Sequence, residues 1–189
     1  NAIAPQKDAD GFQVSNLGRL LQGDLNGLLP CTPLGIRHLL RMAGVQTAGQ
    51  HVVVVGRSLI VSKPLGLLLL ERGPWGDATL SFAHSQTPHL AAFTRQADIL
   101  IVAAGKPHLI GVEHIKPRAV VIDVGVNRVP DPQKRTGFRL VGDVDFQAVL
   151  PYVRHITPVP GGVGPMTVAF LIYNTVRAWA QQECPRHPA

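Results

Sequence analysis

The fold is decided by residues 51–70, which read HVVVVGRSLIVSKPLGLLLL. The first five residues are a histidine and four β-branched valines, a composition typical of a strand. Gly56 follows them at once, and the apolar run at 63–70 predicts a helix. A strand, a glycine turn and a helix in this order form the first half of a βαβ unit.

The segments downstream of this unit continue the alternation. We predict strands over 78–83, 98–103 and 119–124, and helices over 90–96, 145–150 and 168–180. The third and fourth strands are apolar on both faces, as in a parallel sheet covered on both sides. We therefore expect an α/β fold with a doubly wound, Rossmann-like parallel sheet.

The segment upstream reads differently. Residues 1–32 are rich in Gly, Asp and Asn and predict loops, and we expect a helix from Thr32-Pro33 to Gly44. The chain does not begin with Met, and Asn1–Pro5 resembles the end of a strand, so we expect further residues before it. We expect three regions: 1–32, the end of an N-terminal domain; 33–155, a dinucleotide-binding domain with its linking helix; and 156–189, a loop and a returning C-terminal helix.

Composition excludes several functional classes. The 189 residues carry a net charge of +6, but the basic residues are scattered and aromatic residues are few, which disfavours a nucleic-acid partner. No apolar run approaches the length of about 18 residues that a membrane span needs. Cys31 and Cys184 lack metal-ligand spacing, so we expect reduced cysteines, no metal and a cytoplasmic location.

Glycine follows three of the four predicted strands directly or within two residues. Ligands of such sheets bind beyond the carboxyl ends of the strands, so the clustering favours a cofactor. The second strand ends in His84-Ser85, whereas an NAD-binding sheet usually has an acid there. Arg57 and Ser85 can instead bind a 2′-phosphate, and we expect NADP over NAD. Each of these two residues alone is more often an ordinary surface residue.

The segment PVPGGVGPMT, residues 158–167, is the second informative stretch. Its three prolines and three glycines define a shaped loop with little side-chain bulk, suited to close approach of a flat ligand. Pro165 stands where a first-turn proline belongs. A rigid connection without a ligand is the alternative interpretation of this composition alone.

Taken together, several motifs resemble the methylenetetrahydrofolate dehydrogenase/cyclohydrolase family, in the same order and over almost the whole chain. These are Pro5–Phe12, Pro30–Pro33, Gly56–Ser58, Ala83–Thr87, Val121–Arg128, Val141–Val144 and Thr157–Thr167. The resemblance implies a bifunctional enzyme that oxidises 5,10-methylenetetrahydrofolate with NADP and hydrolyses the product to 10-formyltetrahydrofolate. It also implies two domains around a cleft and a homodimer formed through the NADP-binding domain.

The resemblance assigns roles to residues of this chain. Gly56, Arg57, Ser58 and Ser85 match positions that bind the phosphate side of the cofactor. The backbone of Val126 matches the position at the nicotinamide. The substrate-binding positions match Asp10, Gly164 and Thr167. The carboxylate of Asp10 would accept hydrogen bonds from the adjacent N–H donors of a pterin edge.

Two departures accompany the resemblance. Ser62 stands where the family usually has glycine, which predicts modest crowding of the cofactor. The family's catalytic Tyr and Lys lie upstream of this chain, and Lys63 and Lys106 are expected to be solvated, so we expect no catalytic residue within it.

The alternatives are a non-catalytic dinucleotide-binding fragment or a different NADP dehydrogenase. For the isolated chain we expect exposed apolar faces around Ile36, Leu39, Leu40, Phe170 and Leu171.

Overall fold

The computed structural model describes residues 2–183, and a parallel sheet lies at its centre. The helices and strands are α1 (Val14–Leu21), α2 (Cys31–Met42), β1 (His51–Val55), α3 (Ser62–Leu70), β2 (Thr79–Ala83), α4 (Leu90–Thr94), β3 (Ile99–Val102), β4 (Val120–Asp123), β5 (Asn127–Pro130), β6 (Phe138–Val141), α5 (Phe146–Val149), β7 (His155–Ile156) and α6 (Val163–Glu183).

The main sheet has the strand order β2-β1-β3-β4-β7, and all four pairings are parallel. The chain moves outward from β1 to β2, then returns to β3 on the other side of β1. The strand order therefore reverses between β1 and β3, and ligands of doubly wound sheets bind at the carboxyl ends of such strands. The α/β fold with a parallel, Rossmann-like sheet is confirmed.

Two apolar clusters cover the two faces of the sheet. One contains Ile36 and Leu40 of α2, Leu65 and Leu69 of α3, and alternate strand residues such as Val54. The other joins the opposite strand faces to α5 and the connecting segments. Every residue of β3 and β4 is buried, which confirms that these strands are apolar on both faces because both faces are covered.

Helices α2 and α6 form a close pair beside the sheet. The ideal Cβ position of Gly35 lies 3.0 Å from Cβ of Met166, so the two helices approach at a position without a side chain. Asn174 of α6 is fully buried and donates to the carbonyl oxygens of Ala9 and Leu29, both at 2.8 Å. The returning helix is thereby attached to the N-terminal segment.

The structure corrects several local predictions. Residues 1–32 contain the helix α1, residues 127–141 form an antiparallel hairpin of β5 and β6, and β7 is a further strand of the sheet. Residues 2–4 are not in a strand, and residue 1 lies outside the described residues. Helix α6 begins at Val163, earlier than predicted, because Pro165 fits within a first turn.

The predicted exposed apolar face was wrong in part. Ile36 and Leu40 are buried in the core, because α2 packs against both α3 and the sheet. Leu39 and Phe170 are half-buried, and Leu171 is exposed as expected. The other large exposed apolar residues of α6 are Val168, Ile172, Tyr173, Val176 and Trp179.

Cys31 is buried and free, and burial raises the pKa of its thiol to about 11. Cys184 lies outside the described residues. Within residues 2–183, no helix combines the length and apolar character that a membrane crossing requires. The same residues contain no group of three or more His, Cys, Asp or Glu side chains placed to bind a metal ion.

Candidate functional site

A cavity of about 450 Å³ opens at the carboxyl edge of the sheet, where β1, β2 and β3 end. It brings together four of the predicted cofactor residues, Gly56, Arg57, Ser58 and Ser85. The cavity is also lined by Val55, His84, Thr87, Leu90, Ala103, Ala104, Lys106 and Leu109. This is the reversal point of the strand order, so the topology and the cavity indicate the same ligand site.

Gly56 shapes the floor of this cavity. Its backbone has φ +146°, a conformation that favours glycine, and its N–H donates to the carbonyl oxygen of Ala83 at 2.8 Å. A Cβ at this position would lie 2.5 Å from the carbonyl oxygen of Ala103 and 2.7 Å from Oγ of Ser62. The main chains of β1 and β3 therefore come together where only glycine fits.

Ser58 binds the start of α3. Its Oγ accepts hydrogen bonds from the backbone N–H groups of Val61 at 3.1 Å and Ser62 at 3.2 Å. The side chain of Ser62 is fully buried behind this turn and is not part of the cavity lining. The Ser62 hydroxyl thus lies next to Gly56 and outside the cavity lining, and its effect on the cofactor stays a prediction.

The turn after β2 presents Ser85 to the same cavity. The Thr87 hydroxyl accepts from the backbone N–H of His84 at 2.9 Å, and the backbone N–H of Gln86 donates to Nδ1 of His84 at 3.2 Å. These two bonds define the turn and leave Ser85 exposed. Arg57, across the cavity, is also exposed, so its cationic side chain is accessible to an anionic ligand.

Asp143 holds the loop after β3, which forms part of the cavity wall, and the sequence alone did not reveal this role. Its carboxylate is fully buried and accepts from the backbone N–H groups of Ala104, Gly105 and Lys106 at 2.7–2.9 Å. The side-chain amide of Asn127 donates to it at 2.8 Å. One carboxylate thus determines the path of the loop after β3.

A second buried acid, Asp123, performs a similar task at the end of β4. It is 2 % exposed and accepts from the backbone N–H groups of Gly125, Asp143 and Val144 at 2.9–3.0 Å. Burial raises the pKa of this carboxyl to about 6. A Cβ on Gly142 would collide with the carboxylate, so this glycine makes room for it. The sequence signal was an acid ending an otherwise apolar strand.

The predicted substrate residues lie at a different place, around the first turns of α2 and α6. Thr167 and Thr32 share a hydrogen bond between their hydroxyl oxygens at 2.9 Å, and Gly164 is exposed two residues into α6. Asp10 is exposed on a turn next to the start of α2, since the thiol of Cys31 donates to the carbonyl oxygen of Ala9 at 3.2 Å.

The turn that carries Asp10 is held by its neighbour Asp8. Asp8 is buried, and its carboxylate accepts from the backbone N–H groups of Gly11 and Gln13 and from the side chain of Asn16. A Cβ on Gly11 would collide with the backbone of Leu29. Two acids two residues apart therefore differ in environment: one stabilises the turn and the other is open to a ligand.

Val126 is not part of the cavity lining. Its side chain is 61 % exposed, and it follows Gly125, whose backbone N–H is held by Asp123. The structure thus places Val126 shortly after the end of β4 and outside the cavity that the other cofactor residues line, so its role at the nicotinamide stays a prediction.

Comparison with known families identifies this arrangement. The model of the tetrahydrofolate dehydrogenase/cyclohydrolase NAD(P)-binding domain matches residues 30–183. The chain belongs to this family. The resemblance drawn from the motifs is confirmed, and the family domain contains the whole sheet, its carboxyl edge and α6.

Individual members of the tetrahydrofolate dehydrogenase/cyclohydrolase family are closely similar in sequence. The chain is 56 % identical over 181 residues to the bifunctional protein FolD 1 of Myxococcus xanthus (strain DK1622), covering 96 % of the chain and 61 % of that protein. It is also 56 % identical over 179 residues to the bifunctional protein FolD of Geobacillus kaustophilus (strain HTA426), covering 95 % and 59 %.

Solved structures of the family share the fold. The Trypanosoma brucei methylenetetrahydrofolate dehydrogenase-cyclohydrolase, solved in complex with NADP and an inhibitor, aligns with a TM-score of 0.89 at 43 % identity, covering 96 % of this chain and 61 % of that one. The Campylobacter jejuni enzyme aligns with a TM-score of 0.86 at 44 % identity, covering 95 % and 60 %. The chain spans about three fifths of the length of the relatives that it matches.

Proposed function

We propose that this chain binds NADP at the carboxyl edge of its sheet and belongs to an enzyme that oxidises 5,10-methylenetetrahydrofolate and hydrolyses the methenyl product to 10-formyltetrahydrofolate. One observation carries the proposal: Gly56, Arg57, Ser58 and Ser85 line one cavity at the reversal point of the sheet. A relative of 43 % identity was solved with NADP, which supports the choice of cofactor.

The cavity suits the phosphates of NADP. Among the described residues, Arg57 and Lys106 are its two exposed cations and no Asp or Glu lines it. The hydroxyl of Ser85 can donate a hydrogen bond. A carboxylate at the end of the second strand would bind a ribose hydroxyl and repel a 2′-phosphate. Glycine at position 56 lets the main chains at the ends of β1 and β3 close the floor of the cavity, because any Cβ there would meet Ala103.

The reaction would take place where the carboxyl edge meets the starts of α2 and α6. Asp10 would accept the N–H donors of the pterin, while Gly164 and Thr167 would contact the folate near the cofactor. The nicotinamide, when bound, supplies the hydride acceptor, and this chain's residues hold the two reactants face to face. The family's Tyr and Lys have no counterparts that we assign here, so residues 1–189 alone are expected to be inactive.

We also propose the three regions 1–32, 33–155 and 156–189, and a homodimer formed through the cofactor domain. Strand β2 supports this assembly, since within the described residues it pairs on one side only, with β1. Phe82 on this strand and Phe93 on α4 are both about two fifths exposed, 43 % and 40 %. An unpaired strand edge beside exposed aromatic rings offers main-chain donors and apolar area to a second copy.

The cofactor choice is tested by measuring the dissociation constants of NADP and NAD for the wild type and Arg57→Ala. Loss of one hydrogen bond to a charged group is expected to reduce the preference for NADP about ten- to a hundredfold. Arg95→Ala is the matched control, because Arg95 is exposed and lies outside the cavity. An unchanged ratio in Arg57→Ala would refute the assignment.

Activity is tested by following NADPH formation from methylenetetrahydrofolate with the complete protein and, alongside, with residues 1–189. We expect turnover by the complete protein and none by residues 1–189. If the complete protein binds NADP but does not reduce it, the non-catalytic binding module is the better description. Turnover by residues 1–189 would mean that the catalytic residues lie within them.

A further inference from the structure

A second cavity of about 450 Å³ lies at the other end of the sheet. It is bounded by α2, by α6 and by residues 71–76, which lead from α3 to the amino end of β2. It shares no lining residue with the cofactor cavity. Its Arg, His and Glu lining residues are Arg37, His38, Arg41, Glu71, Arg72 and Arg177.

Four arginines therefore face one glutamate in this cavity. Arg177 is engaged, since its guanidinium donates to the carbonyl oxygens of Leu25 at 3.3 Å and Asn26 at 3.0 Å. Among residues 2–183, Glu71 forms no ion pair with any of these arginines. Glu71 offsets one of the four cationic charges without pairing with it directly, so the cavity keeps a net positive charge.

Arg37 differs from Arg41 and Arg72 in its burial. It is half-buried, and burial lowers the pKa of its guanidinium. No hydrogen-bond acceptor for it is found in the part of the chain that the structure describes, and the same holds for Arg41 and Arg72. Removing a cation from water without an acceptor is unfavourable, so the half-buried Arg37 has a strong tendency to bind an anion. The exposed side chains of Arg41 and Arg72 add positive charge beside it.

The remaining wall is aromatic. The ring of His38 packs edge-to-face on Phe170 with centroids 5.5 Å apart, and Phe170 contacts Tyr173 in the same way at 5.8 Å. These contacts, together with Trp75 on the 71–76 segment, give the cavity rigid sides. A guanidinium beside rigid walls loses little freedom on binding, which favours a compact ligand of fixed geometry.

We propose that this cavity is a second ligand site, separate from the cofactor site, and that it binds a compact polyanion of the diphosphate class. Three arginines without acceptors call for more than one negative charge, and planar guanidinium groups match phosphate oxygens in pairs. The volume fits a small molecule and not a polymer. Inorganic diphosphate and the diphosphate of a nucleotide present the same chemistry.

The test is calorimetric titration of the purified protein with inorganic diphosphate, ADP and adenosine, for the wild type, Arg37→Gln and Arg41→Gln. We expect saturable binding of diphosphate that weakens at least tenfold in each variant. Arg41→Gln replaces an exposed side chain, so it keeps the test valid if Arg37→Gln lowers stability. ADP binding that also depends on Arg37 would assign the site to nucleotides, whereas binding of diphosphate alone would assign it to the inorganic ion.

Arg95→Gln is the matched control, and Arg57→Ala separates the two cavities. Arg95→Gln should leave diphosphate binding unchanged, since this exposed arginine lies outside both cavities. Arg57→Ala reports diphosphate bound at the cofactor cavity instead. A loss of binding in the Arg37 and Arg41 variants that Arg57→Ala does not reproduce separates this proposal from the cofactor assignment, and a loss confined to Arg57→Ala would overturn it. Absence of saturable binding, equal binding by all variants, or binding of adenosine that depends on Arg37 would each overturn the proposal.

Discussion

The carboxyl edge of the sheet and the α2–α6 helix pair are stabilised in different ways. At the sheet edge, the buried carboxylates Asp123 and Asp143 accept backbone N–H groups from neighbouring loops. Between the helices, the hydroxyl groups of Thr32 and Thr167 share a hydrogen bond, and Gly35, which has no side chain, lets Met166 pack closely against α2. The edge is fixed through main-chain hydrogen bonds to charged acceptors, whereas the helix pair is fixed through packing.

This difference has an energetic consequence. A hydrogen bond to a charged group contributes about 1.5–3 kcal/mol, and a bond between neutral groups contributes about 1 kcal/mol. Substitutions at the sheet edge are therefore expected to reduce stability and cofactor binding more strongly than substitutions of single polar groups between the helices. Three substitutions test this ranking.

The largest effect is expected for Asp143→Ala. The substitution removes the acceptor of three backbone N–H groups and of the Asn127 amide, so the loop after β3 loses its support. We expect a loss of about 4 kcal/mol in the free energy of unfolding and weaker NADP binding, measured by urea denaturation and titration. Asp145→Ala, which removes an exposed helix cap, should cost about 1 kcal/mol. Equal losses would contradict the distinction.

Asp123→Asn is expected to have a pH-dependent effect. The folded protein keeps a proton on Asp123 up to about pH 6, while the unfolded chain releases it near the ordinary pKa of 3.8. Between these values the folded state binds more protons, so this group stabilises the fold fully below about pH 4 and the contribution is lost as pH rises through 6. The stability of the wild type relative to the variant should fall by about 3 kcal/mol between pH 4 and 7.

Asp98→Asn is the control for this profile. The Lys116 ammonium and the backbone N–H of His51 hold the pKa of Asp98 below its ordinary value. Its contribution is therefore present above about pH 4 and is lost as the solution becomes more acidic, which is the opposite sign. Urea denaturation at several pH values measures both. A flat or rising profile for Asp123 would show that its carboxylate is not held protonated.

The smallest effect is expected for Thr32→Val. The exchange preserves shape but removes the hydroxyl that meets Thr167, so we expect a loss of about 1 kcal/mol in the free energy of unfolding. Thr175→Val should cost less, since this exposed hydroxyl donates only to a carbonyl oxygen of its own helix at 2.8 Å. A loss at Thr32 as large as that at Asp143 would mean that the helix pair is not stabilised mainly by packing.

Short-range patterns predicted the sheet well. The run of four valines before Gly56 was correctly assigned to a strand, and the turn residues after β1 and β2 meet in one cavity as expected. The two buried acids were missed as positioning residues, because a sequence does not show that loops far apart in the chain share an acceptor. Helix α1 was missed because its Asn and Gly favour loops, and burial of Leu20 against Leu68 overrides that preference.

The close approach of Gly35 to Met166 has a consequence for how this protein can vary. A bulkier residue at 35 would displace the helix that carries Gly164 and Thr167, unless the residue at 166 became smaller in the same step. Substitutions at positions 35 and 166 should therefore be correlated among homologous chains: a larger residue at 35 should occur together with a smaller residue at 166.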